Sequence, residues 1–242
     1  MASATAAEQD YLREIYLLQE DSGRATTQKL ADRLGVKPPS VTAMVKRLAE
    51  DDGGPLVVHT PYHGVELTNR GISVARELLR HHRLIELFLA ELLDVPWDRV
   101  HEEADRLEHV LSEDLEERIA AKLGEPAYDP HGDPIPTHEG VVPLRRLRRL
   151  TELRQGETAE VAQVTAQDPP VLQYLAGMGV RPGATITVES TAPFGDAVTI
   201  TVSDETGDSA LPRALGEKLA RHILVSARAA GVFRGSTGRA WE

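Results

Sequence analysis

The spacing of hydrophobic positions changes along the chain, and each change predicts a different kind of element. Residues from about 8 to 71 show short helical stretches followed by a hairpin pattern. From about 72 to 124, apolar residues recur near helical spacing, which is typical of long amphipathic helices. These positions include Leu78, Leu79, Ile85, Phe88, Leu89 and Leu92. After residue 144 apolar and polar residues alternate in TAEVAQV, ATITVES and AVTITVS, which predicts strands.

A segment with five prolines, EPAYDPHGDPIPTHEGVVP, separates the helical region from the strands and indicates a linker. The strands predict a small β-barrel closed by a short helix in ALGEKLARHI. We therefore expect a mainly α protein with a small β part. Its domains are predicted at residues 1–74, 75–143 (including the linker) and 144–229, with a flexible tail at 230–242.

Composition narrows the class of protein. No apolar run approaches the roughly 18 residues of a membrane span, and MASATAAEQD lacks the pattern of a signal peptide. The chain has no cysteine, so nothing points to an oxidising compartment. We expect a cytoplasmic protein whose metal sites, if it has any, use oxygen and nitrogen ligands.

Charge is distributed unevenly around a net value of −11. Between Arg24 and Ala49 six basic residues face one acidic residue, a local balance of +5. Between His81 and Glu125 thirteen acidic residues face five basic ones, a balance of −8. A basic module of this kind suits the phosphates of nucleic acid, and an acidic one suits a divalent cation.

The basic segment TTQKLADRLGVKPPSVTAMVKRLAE has the pattern of a helix, a tight turn at Gly35 and a second helix. Pro38 and Pro39 fit the first turn of the second helix, where a missing N–H costs nothing. A recognition helix reads the major groove with its N-terminal, outward residues, and nearby basic side chains contact phosphates. The candidate DNA contacts are Lys37, Pro39, Ser40, Thr42, Ala43, Lys46 and Arg47.

Two short strand patterns in LVVHTPYHGVELT, around a turn at Pro61–Gly64, follow the second helix and predict the wing of a winged helix-turn-helix. The plainer alternative is a helical hairpin beside a small β-hairpin, with solvated basic residues. The order of elements and the local positive charge favour the DNA-binding interpretation.

The acidic segment carries two clusters at metal-ligand spacing. His82 and Glu86 are four residues apart and share a helical face, whereas His81 lies off that face and is interpreted as a bystander. A second helix, predicted to begin near Pro96, carries His101 and a further set at i, i+3 and i+4. That set is Asp105, Glu108 and His109.

Lone histidines in helices are usually structural, and acidic runs are usually solvated. Here histidines alternate with carboxylates, which favours metal binding. A carboxylate and imidazole set without sulfur suits Mn²⁺ or Fe²⁺, and Zn²⁺ or Cu²⁺ would also bind by the general affinity order.

These segments resemble the diphtheria-toxin-repressor family of iron- and manganese-dependent regulators. The resemblance is carried by QDYLREIY, LADRLGVKPPSVTAMVKRL, GVELTNRG, RHHRLIE, VHEEADRLEH and DPHGDPIP. It implies a winged helix-turn-helix, a helical metal-binding and dimerisation domain and, from GETAEVAQV and LAGMGVRPGATITV, an SH3-like barrel.

The resemblance also implies two metal sites. One joins Asp10 on the first helix to Asp105, Glu108 and His109. The other joins His82, Glu86 and His101, with Asp168 of the barrel as a loosely matched further ligand.

Two ligands of the site that includes Asp10 bear on which metal ion it prefers. Asp10 and Asp105 stand where iron-type members have methionine and cysteine, which favours Mn²⁺ over the alternative, Fe²⁺. Short manganese-type members carry a second acid on the first helix, and Arg13 stands there in this chain.

The resemblance implies a homodimer that binds palindromic operator DNA when metal is present and represses metal-uptake genes, with no enzymatic activity. Two alternatives remain open from the residues. One is a metallohydrolase that uses the same ligands, and the other is a winged-helix regulator that senses an organic ligand. The arginine-rich segment LRRLRRLTELR is interpreted as a solvated entry to the barrel, with contact to DNA or to the acidic domain as the alternative.

Overall fold

The structure is a computed structural model that describes residues 5–60, 64–192, 195–203 and 211–227. The chain divides into two compact units. The first comprises residues up to Asp129 together with Pro134–Pro143, and the second comprises Pro130–Asp133 and the chain from Leu144 onward. Within the described ranges, no helix is long and apolar enough to cross a membrane.

The first unit begins with helix α1 (Ala6–Ser22), which starts at a capping box. The Thr5 side chain accepts a hydrogen bond from the Glu8 backbone N–H, and the Glu8 carboxylate accepts one from the Thr5 N–H at 2.7 Å. Two donors that a helix start would otherwise leave unpaired are thereby satisfied. One face of α1, which includes Leu12 and Ile15, is fully buried in the core of this unit.

The helix-turn-helix consists of α2 (Thr27–Leu34) and α3 (Pro38–Ala49). Gly35 ends α2 with φ of +64°, a left-handed conformation that favours glycine, so the turn forms where the sequence predicts it. Pro38 and Pro39 occupy the first turn of α3, as predicted. The inner face of α3, which includes Val41 and Leu48, is buried against the core shared with α1.

The wing is a two-stranded antiparallel sheet of β1 (Val57–Thr60) and β2 (Gly64–Leu67). Residues 61–63 of the predicted turn lie outside the described residues. Gly64 has φ of +102°, and a Cβ at this position would lie 2.6 Å from the Ala25 carbonyl oxygen. The neighbouring Val65 N–H donates to that same oxygen at 2.8 Å, which fastens the wing to the segment before α2.

The helical region contains α4 (Asn69–Leu92), α5 (Val100–Leu107) and α6 (Glu113–Lys122). The predicted start of the second helix near Pro96 is wrong, because α5 begins at Val100. Glu108–Val110 form a 3₁₀ turn, so Glu108 and His109 follow the α-helix instead of continuing it. The predicted division at residues 74 and 75 falls inside α4, and the domain bounds stay a prediction.

Among its described residues, the second unit is built on a six-stranded antiparallel sheet with strand order β3-β8-β4-β5-β6-β7. The strands are β3 (Arg148–Arg149), β4 (Thr158–Val164), β5 (Thr185–Thr191), β6 (Ala197–Ser203), β7 (Arg213–Gly216) and β8 (Ile223–Ala227). The helices α7 (Pro169–Gly177) and α8 (Glu217–Ala220) accompany them.

The helix predicted over ALGEKLARHI is much shorter than expected, because Ala214–Gly216 pair with β6 and only Glu217–Ala220 are helical. The arginine-rich segment supplies the edge strand β3. Leu150 and Leu153, which follow β3 in the sequence, are buried. The predicted fold class, mainly α with a winged helix, a helical domain and a small SH3-like β part, is confirmed.

Candidate metal centre and DNA-reading surface

The first cluster lies where α4 meets α5. Nε2 of His82 is 3.1 Å from Oε1 of Glu86 and 3.0 Å from Nδ1 of His101. His101 Nδ1 also lies 3.0 Å from Glu86 Oε1. His82 and Glu86 are buried, and His101 is partly open to solvent. The three ligand atoms lie within 4.8 Å of one another, so the structure brings this predicted set together.

The second cluster joins α1 to the 3₁₀ turn. His109 Nε2 lies 3.1 Å from Asp10 Oδ1 and 3.5 Å from Glu108 Oε1, and the three ligand atoms lie within 4.8 Å of one another. His109 Nδ1 is also 2.8 Å from Oε1 of Gln9, which orients the ring. The structure therefore brings together Asp10, Glu108 and His109, three of the four residues that the resemblance implied for this site.

Asp105 sits apart from the contact between Asp10 and His109. Its Oδ1 is 3.0 Å from Arg13 Nη1 and 3.5 Å from His82 Nδ1. Asp105 and Glu108 lie close together, because their ligand atoms and that of His82 are within 4.8 Å of one another. The α-helix ends at Leu107 and a 3₁₀ turn follows it, so Glu108 and His109 lie beyond the helix that carries Asp105. That Asp105, Glu108 and His109 form one ligand set stays a prediction.

Sequence reasoning missed the role of Arg13, which lies between the two clusters. Its Nη1 donates to both oxygens of Glu108, at 2.7 and 2.9 Å, and to Oδ1 of Asp105. The same nitrogen lies 3.3 Å from His82 Nδ1. The Glu108 carboxylate is fully buried, and His82 Nδ1 lies 2.6 Å from its Oε2. Its charge is therefore compensated inside the protein.

Burial and charge shift the titration of this centre. Burial alone would lower the pKa of His82, but the carboxylates of Glu86 and Glu108 raise it to about 10. His82 is thus protonated in this arrangement, and it must lose a proton before it can act as a metal ligand. Burial raises the pKa of Asp10, against the lowering effects of His109 and Arg13.

The residues present fit a hard divalent cation. Each cluster combines imidazole nitrogen with carboxylate oxygen on atoms already close together, the donor set that suits Mn²⁺ or Fe²⁺. The remaining predicted ligand, Asp168, lies in the second unit. Its carboxylate accepts a hydrogen bond from the Val171 N–H at 3.4 Å and caps α7. Its role as a ligand stays a prediction.

His81 is a structural residue in its own right. It is buried, and its Nε2 lies 2.7 Å from Oε2 of Glu116, while Oε1 of the same carboxylate accepts a hydrogen bond from Arg80. The Glu116 carboxylate is 2% exposed, and these two cations lower its pKa against the raising effect of burial. The contact thus joins His81 on α4 to Glu116 on α6.

The proposed DNA contacts lie on α3 and at the residue before it. All seven predicted residues, Lys37, Pro39, Ser40, Thr42, Ala43, Lys46 and Arg47, are exposed. Arg47 differs from the others because its Nε lies 2.7 Å from Oε1 of Glu8. Their contacts with DNA stay a prediction.

Three family models match consecutive parts of the chain. They are the iron dependent repressor N-terminal DNA binding domain at residues 4–65, the iron dependent repressor metal binding and dimerisation domain at 68–137, and the FeoA domain at 148–227. The iron-dependent repressor IdeR of Mycobacterium tuberculosis is 39% identical over 204 residues, which cover 79% of this chain and 86% of that protein. The chain belongs to the iron-dependent repressor family.

Other relatives and solved structures agree with this membership. The diphtheria toxin repressor of Corynebacterium diphtheriae is 36% identical over 126 residues, which are 52% of this chain and 54% of that protein. A manganese-dependent transcriptional repressor in complex with manganese matches this repressor-family chain with a TM-score of 0.80 and 38% identity, over 91% of this chain and 99% of the other. IdeR of T. acidophilum matches with a TM-score of 0.72 and 31% identity, over 94% and 100%.

Proposed function

We propose that this protein is a transcriptional repressor that binds palindromic operator DNA as a homodimer when Mn²⁺ occupies its metal centre, with Fe²⁺ as the alternative ion. One observation carries the proposal. Helix α1 brings Asp10 to His109 of the helical region and Glu8 to Arg47 of the recognition helix. A single helix therefore links the candidate metal ligands to the DNA-reading surface.

The ligands on α1 and on the 3₁₀ turn belong to different parts of the unit. When bound, the cation supplies positive charge that Asp10, Glu108 and His109 can share. Shared ligation favours the arrangement in which α1 stays docked against the helical region. DNA selects the same arrangement, so linkage requires DNA and metal to strengthen each other's binding equally.

Exposed apolar side chains on the helical region support a second copy of the chain as partner. Exposed hydrophobic side chains occur at the end of α4, at the end of α5 with the 3₁₀ turn, and on α6. They are Leu92, Leu93, Leu107, Val110 and Leu115. Burying such side chains against a partner is favourable, and a two-fold dimer presents paired recognition helices about 34 Å apart to a palindrome.

The metal is proposed from ligand hardness. Asp10 and Asp105 put carboxylate oxygens where softer sulfur ligands would favour later transition metals. Glu108, Glu86 and the three histidines are compatible with either ion. Manganese is therefore preferred over iron.

The experiment starts from operator duplexes selected from a random-sequence library in the presence of Mn²⁺. We expect tight binding with Mn²⁺, loss of binding in EDTA and recovery on adding excess Mn²⁺. Affinity should also fall steeply with salt, because lysine and arginine contacts to phosphates release counterions. Equal affinity with and without EDTA would overturn the metal-dependent function and favour a regulator that senses an organic ligand.

A further inference from the structure

A group of ligand-type side chains outside the metal centre joins α4 to α6. Glu77 and His81 are four residues apart on α4 and share a helical face, and Glu113 is the first residue of α6. One ligand atom from each of the three lies within 4.8 Å of the other two, and His81 Nε2 is 3.9 Å from Glu113 Oε1. The structure therefore brings one imidazole and two carboxylates together at the start of α6.

His81 provides the observation that points to a ligand in this group. Its side chain is 9% exposed, and its buried Nε2 has no hydrogen-bond partner of suitable geometry within the described residues. Oε2 of Glu116, at 2.7 Å, makes an ion-pair contact with the same nitrogen. Buried polar atoms normally have a partner, and an imidazole nitrogen that is surrounded by carboxylates is a donor that divalent metal ions use.

We propose that Glu77, His81 and Glu113 form a separate divalent-cation site, with Glu116 as its fourth ligand, and that an ion bound there fastens α6 to α4. One nitrogen and three oxygens make a four-ligand set that suits structural Zn²⁺, and Mn²⁺ accepts the same donors. None of the four residues belongs to the metal centre that is proposed to control DNA binding. The inference is therefore independent of the proposed function.

The charges around this α4–α6 site favour a cation. Arg80 donates to Oε1 of Glu116, so Oε2 remains available to an ion. Burial and the nearby Glu113 carboxylate raise the pKa of Glu77, because two close negative charges disfavour each other. A divalent ion held between Glu77 and Glu113 would remove that repulsion.

The site is accessible to an ion from solvent. A cleft of about 480 Å³ opens at α4, α6 and residues 137–140, and Glu77, Glu113 and Glu116 all line it. The Glu113 side chain is 60% exposed, so it can turn toward an ion without disturbing the core. Ligation from both helices would hold the start of α6 against α4 and stabilise the helical region.

The test measures the Zn²⁺ bound per chain by equilibrium dialysis and elemental analysis, without DNA. The wild type is compared with Glu77→Gln, with Glu113→Gln and with the double variant. Glu117→Gln is the matched control, because Glu117 is an exposed carboxylate on the same helix as Glu113. We expect each single variant to bind one ion fewer than the wild type, the double variant to lose no more than that ion, and Glu117→Gln to keep the wild-type count.

A wild-type ion count in either Glu77→Gln or Glu113→Gln overturns the inference, as does an equal loss in Glu117→Gln. These outcomes are distinct from failure of the proposed function. If the metal centre itself bound no ion, the wild-type count would be lower, but the difference of one ion between the wild type and Glu113→Gln would remain.

Two further measurements use the wild-type protein, so they do not depend on how well the variants fold. Zn²⁺ should raise the melting temperature of the wild type, and it should raise that of Glu113→Gln by less. Anomalous diffraction at the zinc edge, from crystals of the full chain grown with Zn²⁺, should show an ion between His81 and Glu113. The absence of an ion there at saturating Zn²⁺ would overturn the inference.

Discussion

Nε of Arg47 lies 2.7 Å from Oε1 of Glu8, an ion pair that joins the recognition helix to α1. The Arg47 side chain is 62% exposed, so the pair contributes at most about 1 kcal/mol to stability. Its main effect is to orient α3 relative to α1. Glu8 lies in the first turn of α1, two residues before Asp10, so a shift of α1 at the metal centre reaches α3 through this contact.

This ion pair predicts a difference between Arg47 on α3 and Lys37, the residue before α3. Lys37→Gln should weaken operator binding and lower the slope of log affinity against log salt by about 1, as expected for one lost phosphate contact. Arg47→Gln should lower the slope by less, because Glu8 already neutralises that charge. Affinity titrations across a salt series check both. Equal slopes for the two variants would show that Arg47 leaves Glu8 to contact phosphate.

Glu108→Ala should abolish metal-activated DNA binding and destabilise the fold. The change removes a candidate ligand and leaves Arg13 with Asp105 as its remaining carboxylate partner in this cluster. Breaking a buried ion pair costs about 3–5 kcal/mol, and we expect the lower end because Asp105 remains. Urea unfolding without metal measures this loss.

Glu103→Ala is the matched control for Glu108→Ala. Glu103 lies on α5 and pairs with Arg106 at 2.8 Å on the exposed side of the helix. We expect a change in stability of at most about 0.5 kcal/mol, as for ordinary surface substitutions, and normal activation by Mn²⁺. If both variants lost activation equally, the special position of Glu108 would be refuted.

The wing depends on close packing at Gly64. Gly64→Ala should destabilise the first unit by at least about 1 kcal/mol and weaken operator binding, because Cβ would meet the Ala25 carbonyl at 2.6 Å in a left-handed conformation. Gly54→Ala isolates the clash, since Gly54 also has positive φ, +107°, but has open space around its Cβ position. Urea unfolding of both variants measures the difference in stability. An equal loss of stability would show that conformational strain, and not the clash with Ala25, accounts for the effect.

Much of this fold follows from local pattern. Gly35 and the two prolines after it define the turn and the start of α3, and the four-residue spacing of His82 and Glu86 places both on one face of α4. The end of the helix that carries Asp105 could not be predicted, because spacing alone does not show that the α-helix stops at Leu107 and a 3₁₀ turn follows.

Arg13 could not be assigned from spacing because its partners are 69 to 95 residues away in the sequence. A signal was nevertheless present. A basic residue stood at a position where a second acid was expected, next to ligands that carry excess negative charge. This charge pattern indicates that the arginine compensates the excess negative charge of the ligands.

His81 provides a further test, because the sequence marked it as a bystander. His81→Ala should destabilise the first unit by about 2 kcal/mol, since it removes a buried partner of Glu116 while Arg80 remains. The exposed His138 serves as the control, and His138→Ala should change stability by less than about 0.5 kcal/mol. Urea unfolding without metal measures both. A neutral His81→Ala would contradict the structural role assigned to it.

Metal selectivity gives the most discriminating prediction, because Asp10 and Asp105 have different surroundings. Asp10 contacts His109 at 3.1 Å, whereas Asp105 is held by Arg13 at 3.0 Å. Thioether and thiolate favour softer metals than carboxylate does. Asp10→Met should therefore raise the Mn²⁺ concentration needed for half-maximal operator binding and lower that for Fe²⁺ or Co²⁺. Asp105→Cys alone should shift these midpoints less.

The double variant Asp10→Met, Asp105→Cys should show the largest shift toward softer metals. Its operator affinity at saturating metal should remain near the wild-type value, because α3 is unchanged. Titrations of operator binding with each metal, anaerobic for Fe²⁺, give the midpoints directly. A larger shift from Asp105→Cys than from Asp10→Met would show that Asp105 leaves Arg13 to join His109 when metal binds. Unchanged Mn²⁺ midpoints in all three variants would remove the main support for manganese, because neither carboxylate would then set the preference.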